Sequence, residues 1–313
     1  MTKIDINEAK IAVLYGGTSN ERPVSLASGR EVSKALEEMG YGVTLIDTGD
    51  SSYIAALQEF RPGIAFLALH GKGGEDGGVQ AVCQELGIKF TGSGVMSSAL
   101  SMNKLYSKIV YRAFGIKTAD WIVIEEGGDW SVEEIVAAVG EKMVVKPIDD
   151  GSSIGVEVVK DIADLPAAIE RSFKVSKRLL IESFIKGIEV TIPVLGNASV
   201  EAMPVIETVF EDGFYTFDAK YSPTGGGQHI IPARLSDELT RRCKEQACAV
   251  HRALDCRGVS RTDFIIDENE DIWALETNSL PGMRPNSLIG DAARYMGMSF
   301  GQLCEKLVEL GLE

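Results

Sequence analysis

The sequence predicts an α/β protein of more than one lobe, and three observations predict it. The first hundred residues alternate short apolar runs with helical spacing, which implies a parallel sheet. Near Gly94 the pattern changes to a long helical stretch and then to strands. From about Ile185 strands dominate, and two of them flank a polar turn as an antiparallel hairpin. With 313 residues, 45% of them hydrophobic, the chain can build a large core spread over two or three lobes.

Taken in order, Ile11–Leu14 is an apolar strand that stops at Gly16-Gly17, and Val24 to about Met39 carries helical spacing. Pro23 suits the first turn of that helix, where its missing N–H costs nothing. Gly42–Ile46 is a second strand, Ser52–Glu59 a helix, and Ile64–Leu69 an apolar strand ending at His70-Gly71. "GKGGEDGGVQ" opens another helix, and Lys89–Thr91 is a fourth strand. In such a sheet ligands gather at the carboxyl ends of the strands, so Gly16-Gly17 and His70-Gly71 share a rim. "MSSALSMNKLYSKIVYRAFG" reads as one helix. The strands Trp121–Ile124, Met143–Lys146 and Leu179–Glu182 follow, with the helical stretch Ser131–Val139 among them. Later come Val190–Leu195, Ala202–Thr208, Thr262–Ile266 and Ile272–Glu276 as strands, and Asp237–Leu254 and Ser299–Leu310 as helices. The Gly-rich segment Val209–Ile231 is too long for a plain connection and reads as a disordered stretch or a functional lid.

Composition narrows the function. The net charge of −15 makes the chain a poor partner for a nucleic-acid backbone. No apolar run approaches the ~20 residues of a membrane helix, and MTKIDINEAK lacks the apolar stretch of a signal peptide. The expected location is the cytoplasm. The five cysteines show no CxxC pair and read as reduced thiols. Three histidines argue against a His-rich metal centre.

The strongest chemical signal is "RTDFIIDENEDIWALETNSLPG". Residues two apart on a strand share a face, so Arg261 goes with Asp263 and Glu276 with Asn278. Pairing of the two strands can gather three oxygen donors and a guanidinium in one patch. A hard cation such as Mg²⁺ takes oxygen ligands and completes its shell with water and phosphate. The plain alternative is an exposed hairpin with solvated charges. Against it, Phe264, Ile265, Ile266, Ile272, Trp273 and Leu275 mark the hairpin as buried, and buried carboxylates need partners. In "VVKPIDDGSSIGV" a strand delivers Lys146 to a turn of Gly151, Ser152, Ser153 and Gly155, whose backbone N–H groups can face an anion. An ordinary turn would look the same. Lys104 could add a second cation, or simply face solvent. In "LLIESFIKGIEV", Glu182 and Glu189 can accept hydrogen bonds from a base or a ribose, or be ordinary surface carboxylates. Lys220 and Tyr221 of "DAKYSP" lie within the long segment, where a plain loop lysine and a packing tyrosine would look the same.

Together with "GGTSNER", "ALHGKGGEDGGVQ", "FTGSGVMSSALSMNK" and "ETNSLPGM", these stretches resemble the D-alanine–D-alanine ligases of the ATP-grasp superfamily, in the family's order and from about Lys10 to Leu310. The resemblance implies an N-terminal Rossmann-like substrate lobe (residues 1–97), a central ATP-grasp lobe (98–184) and a C-terminal catalytic lobe (185–313). ATP would be clasped between the last two. It implies Lys104, Lys146, Ser153 and Lys220 around ATP, Glu182 as acceptor of the adenine amino group and Glu189 of the ribose. Asp263, Glu276 and Asn278 would hold two Mg²⁺ or Mn²⁺ ions. Arg261 and the backbone of Gly282 would stabilise an oxyanion. His70 and Glu75 would line the first-lobe substrate wall, and Ser287 and Leu288 would meet the second amino acid. Tyr215, Lys220 and Tyr221 would belong to a lid. The implied reaction joins two D-alanines through an acyl phosphate for peptidoglycan synthesis, in a protein that is commonly a homodimer.

The resemblance also implies an acidic residue reaching the first D-alanine's ammonium and linking Ser152 and Tyr221. The expected place for it is position 23, where Pro23 stands, so the first site should bind weakly unless Glu21 or a water fills the gap. Asn103 stands where aspartate is frequent and Arg284 where threonine is usual. Two other readings are a related ligase for a different amino-acid pair and a silent nucleotide-binding homologue. Phosphate release from ATP with D-alanine and with a panel of other amino acids separates them.

Overall fold

The computed structural model describes residues 10–149, 151, 154–210 and 227–313. Ser152, Ser153, Tyr215, Lys220 and Tyr221, with most of the expected lid, lie outside the described residues.

The first sheet is parallel, in the order β2 (Val43–Asp47), β1 (Ile11–Tyr15), β3 (Ile64–Leu67), β4 (Lys89–Phe90). Central β1 and β3 are apolar throughout because both of their faces are covered. On one side α2 (Tyr53–Phe60) and α3 (Gly78–Glu85) supply Leu57, Val79 and Cys83 against Ala12, Leu14 and Leu67. On the other, α1 (Arg22–Glu38) brings Val32 and Leu36 against Ile11, Val13 and Phe66. The β1–α1 turn needs glycine. Gly16 has φ +78, and a Cβ there would come within 2.1 Å of Asp47 Oδ1. Asp47 takes paired hydrogen bonds from Arg22 at 2.7 and 2.8 Å, riveting the turn to the next strand.

The expected single helix after Gly94 is two, α4 (Val95–Met102) and α5 (Lys104–Ala113). Asn103 breaks it by adopting an extended backbone, and its side chain accepts from the Tyr106 N–H at 3.2 Å. Asparagine and aspartate are both strong N-caps, so this departure from the family habit keeps the same turn.

The second sheet is antiparallel, in the order β5 (Trp121–Glu125), β8 (Arg178–Ser183), β6 (Met143–Pro147), β7 (Glu157–Val159). Helix α6 (Val132–Val139) starts in a capping box of Ser131 and Glu134. Helix α7 (Leu165–Phe173), not foreseen from the sequence, packs Leu165, Ala168 and Ile169 under the same sheet. Its Pro166 lies in the first turn, where proline marks a start.

The third sheet runs β12 (Gly227–Ile230), β11 (Ile206–Phe210), β9 (Ile188–Gly196), β13 (Gly258–Ile266), β14 (Ile272–Asn278), with β10 (Val200–Ala202) also on β9. The strand expected over Ala202–Thr208 is therefore divided, and Pro204, which has no N–H to give a ladder, sits in the gap. Helix α8 (Asp237–Ala253) covers one face with Leu239, Cys243, Ala247 and Val250. The unforeseen α9 (Leu288–Tyr295) and then α10 (Phe300–Leu312) follow. Leu303, Leu307 and Val308 of α10 return to the core of the first sheet, so the end of the chain locks its beginning. All five cysteines are free. Among the described residues no helix is long and apolar enough to cross a membrane.

Candidate active site

A cavity of about 800 Å³ lies between the second and third sheets. One wall comes from β6, β7 and β8, including Lys146 and Glu182. The other comes from β9, β13 and β14, including Glu189, Asp263 and Glu276, and Lys104 reaches it from the start of α5.

The hairpin behaves as alternation predicts. Arg261 pairs with Asn278 and Asp263 with Glu276 across the ladder, so all four share one face. Immediately beyond Asp263 the register shifts, and Phe264 pairs with Ala274. Such a bulge bends and twists a strand beside a site. Each carboxylate already carries a cation. Arg261 donates from Nε and Nη2 to the two oxygens of Asp263, each at 3.1 Å. Thr191, opposite Asp263 on β9, also donates its hydroxyl to that carboxylate. Lys104 Nζ stands 3.4 Å from Glu276 Oε2. The Asn278 Nδ2 group is buried without a hydrogen-bond partner among the described residues.

At the other wall Glu182 is held between two ammonium groups, Lys108 at 2.7 Å on Oε2 and Lys146 on Oε1. Burial pushes its acidity down, but the charges and hydrogen bonds of the two lysines outweigh burial and hold its pKa at about 2. Burial also works against Lys146, yet Glu182 keeps that ammonium above its ordinary value. Two ammoniums and one carboxylate leave a positive excess, and Lys146 presents it to the cavity. An anionic ligand matches that excess.

The rim of the first sheet meets the loop after β6, where Lys72 Nζ stands 3.9 Å from Asp149 Oδ2. His70 is buried, with Nε2 3.0 Å from Ser28 Oγ and Nδ1 3.7 Å from Glu75 Oε1. The Gly71 N–H donates to the other Glu75 oxygen at 3.1 Å. Pro23 is exposed in the first turn of α1. Glu21, two residues earlier, turns its carboxylate inward. A Cβ built on Gly151 or on Gly71 would stand 2.8 Å from Glu21 Oε2, which places that carboxylate between Gly71 after β3 and Gly151 after β6. An acidic side chain thus stands two residues before position 23, at the residue named as its alternative.

Beyond the hairpin, Gly282 has open space before it, since a Cβ there would meet nothing within 4 Å. Ser287 caps α9, accepting from the Gly290 N–H and donating to the Arg284 carbonyl at 2.8 Å. Leu288 packs in the core with Val259 and Met283. Lys108 is the member of the Glu182 cluster that the sequence reading missed, whereas Glu21 was named there as the residue that could fill the gap at position 23. Lys108 left a signal, since it lies four residues after Lys104 on one helix, and residues so spaced share a face.

Comparison with known proteins agrees with this geometry. The family model for the D-Ala–D-Ala ligase C-terminus matches residues 110–309. D-alanine–D-alanine ligase of Carboxydothermus hydrogenoformans is 41% identical over 309 residues, 97% of this chain and 98% of that protein. The Desulforamulus reducens ligase is 44% identical over 311 residues, 97% of this chain and 99% of that one. Among solved structures, Bacillus anthracis D-alanine–D-alanine ligase complexed with ATP superposes with a TM-score of 0.83 at 30% identity, covering 97% of each chain. The expected ATP-grasp fold is thereby borne out over nearly the whole length. With likeness this extensive, the chain belongs to the D-alanine–D-alanine ligase family.

Proposed function

We propose that the protein joins two D-alanines to D-alanyl-D-alanine at the expense of ATP, in the cytoplasm and for peptidoglycan synthesis. The observation that carries this reading is the cavity that gathers Lys104, Lys146, Glu182, Glu189, Asp263 and Glu276 between two sheets. We divide the chain at residues 1–97, 98–184 and 185–313, with the nucleotide between the last two. A homodimer is the assembly that the family resemblance implies.

The roles follow from donors and acceptors. Lys104 and Lys146 are point charges for phosphate oxygens, with Ser153 and Lys220 assigned beside them. Glu182 accepts from the adenine amino group and Glu189 from ribose hydroxyls. The donor set for divalent ions is Asp263, Glu276 and Asn278. Among the described residues no three or more His, Cys, Asp or Glu side chains are placed to hold a metal. Two carboxylates and an amide nevertheless fit Mg²⁺ or Mn²⁺, which take the rest of their shell from water and phosphate. The unpartnered Asn278 Nδ2 is a ready donor for a phosphate oxygen. We assign two ions, whose contribution when bound is to neutralise phosphate charge.

The carboxylate of the first D-alanine attacks the γ-phosphorus and ADP departs, leaving an acyl phosphate. Glu21 is assigned to the first ammonium, in the role expected at position 23, with Ser152 and Tyr221 assigned beside it. His70 and Glu75 line that substrate's wall, and Tyr215 belongs to the lid with Lys220 and Tyr221. The second D-alanine, seated by Ser287 and Leu288, attacks the acyl carbon with its amine. Arg261 and the Gly282 N–H hold the oxyanion, and phosphate leaves. Release of phosphate from ATP, measured with D-alanine and with a panel of L- and D-amino acids, tests this reading. Turnover confined to D-alanine supports it.

A further inference from the structure

Lys108 is not among the residues that line the cavity, yet it is one of the most deeply buried charges among the described residues. Its side chain is 1% exposed. Its ammonium donates to Glu182 Oε2 and to Thr118 Oγ1, each at 2.7 Å. Thr118 in turn donates to the backbone carbonyl of Ala274, on β14, at 2.8 Å. The Ala274 N–H donates to the Lys117 carbonyl, also at 2.8 Å, so the segment between α5 and β5 is fastened to the edge of the hairpin strand. A continuous polar chain therefore runs from β14 through Thr118 and Lys108 to Glu182 on β8, and Lys146 completes it at the cavity. It crosses from one wall of the nucleotide cavity to the other.

We infer that Lys108 is a positioning residue for the nucleobase: it fixes Glu182 as an ionised, acceptor-only carboxylate and ties its place to the β13–β14 hairpin. The inference rests on the reading of Glu182 as the base acceptor. The chemistry supports it in three ways. Burial disfavours the Lys108 ammonium, and the Glu182 carboxylate beside it opposes that cost, so the charge depends on this partner. A carboxylate has about four lone-pair sites, and the two lysines take one on each oxygen, which leaves acceptors for an amino group. A carboxylate kept ionised cannot donate, so it rejects a base that presents a carbonyl where adenine presents its amino group. Lys108 thereby serves selectivity through Glu182, without touching the base.

The test compares ATP with inosine triphosphate, whose base carries a carbonyl in place of the amino group, in the full-length protein. Lys108→Met keeps the volume and removes the charge. It is expected to raise the KM for ATP about tenfold or more, with kcat changed far less, and to lower the preference for ATP over inosine triphosphate about tenfold. Thr118→Val removes one acceptor of the ammonium and no charge. It is expected to shift the same ratio in the same direction by a smaller factor, and it serves if Lys108→Met fails to fold. Glu182→Gln is the control for the underlying reading and should lower the ratio at least as much. If Glu182→Gln leaves the ratio unchanged, the base assignment fails and this inference with it. If Glu182→Gln lowers the ratio while Lys108→Met, or Thr118→Val in its place, leaves it intact, Lys108 is only a packing element and the inference alone is overturned.

Discussion

Glu21 turns its carboxylate against Gly151, so closely that a Cβ on that glycine would come within 2.8 Å of Oε2. The contact joins the start of α1 to the loop between β6 and β7 of the second sheet.

Glu21→Ala should raise the KM for the first D-alanine about tenfold to hundredfold, the worth of a hydrogen bond to a charged group. Its kcat should change less, because the ammonium contact exists in ground and transition states alike. Pro23→Ala and Pro23→Glu should leave that KM unchanged, since position 23 faces solvent. Initial rates against D-alanine concentration decide it. A lowered KM for Pro23→Glu, with Glu21→Ala silent, would return the role to position 23.

Glu276→Gln removes one charge from the face shared with Asp263 and keeps the shape. Ligation should fall at least about 10²-fold, the scale of losing a principal electrostatic contact to the reacting phosphate, while the melting temperature stays near that of the parent. Lys104 also loses its 3.4 Å partner, so the KM for ATP should move as well. Near-normal turnover at ordinary Mg²⁺ would remove the metal assignment.

Much of this site was legible in the sequence because strand alternation is rigid. Arg261, Asp263, Glu276 and Asn278 had to share a face once the hairpin formed, and the register confirms it. Lys146 and Glu182 were legible as polar side chains on apolar strands, but their union through Lys108 depends on how α5 lies against β8, which no local pattern encodes. The bearing of Glu21 was not legible for a related reason. Near a helix start, residues two apart point in different directions, and only the path of the β1–α1 turn decides that Glu21 points inward and Pro23 outward. Helices α7 and α9 were missed because each is short, and α9 follows a Pro- and Asn-containing loop that reads as irregular.

His251 gives a pH signature independent of the site. It is buried on α8 with Nδ1 2.7 Å from Ser260 Oγ, and burial pulls its pKa from 6.5 down to about 4. Between those values the unfolded chain binds a proton that the folded chain refuses. Stability from this group is in full above about pH 6.5 and is lost as the pH falls toward 4, by up to about 3 kcal/mol. Urea midpoints from pH 7.5 to 4.5 should fall with pH, and His251→Asn should flatten that slope. An unchanged slope in the variant would assign the acid sensitivity to other groups.

The central claim is that this cavity couples ATP cleavage to the joining of two D-alanines. The most direct measurement follows ADP and dipeptide together in one reaction of the purified protein with ATP, Mg²⁺ and D-alanine. The account predicts one D-alanyl-D-alanine formed for each ADP released, with neither product when D-alanine is replaced by L-alanine. ADP release without dipeptide, or a dipeptide of another amino acid formed in preference, would contradict it.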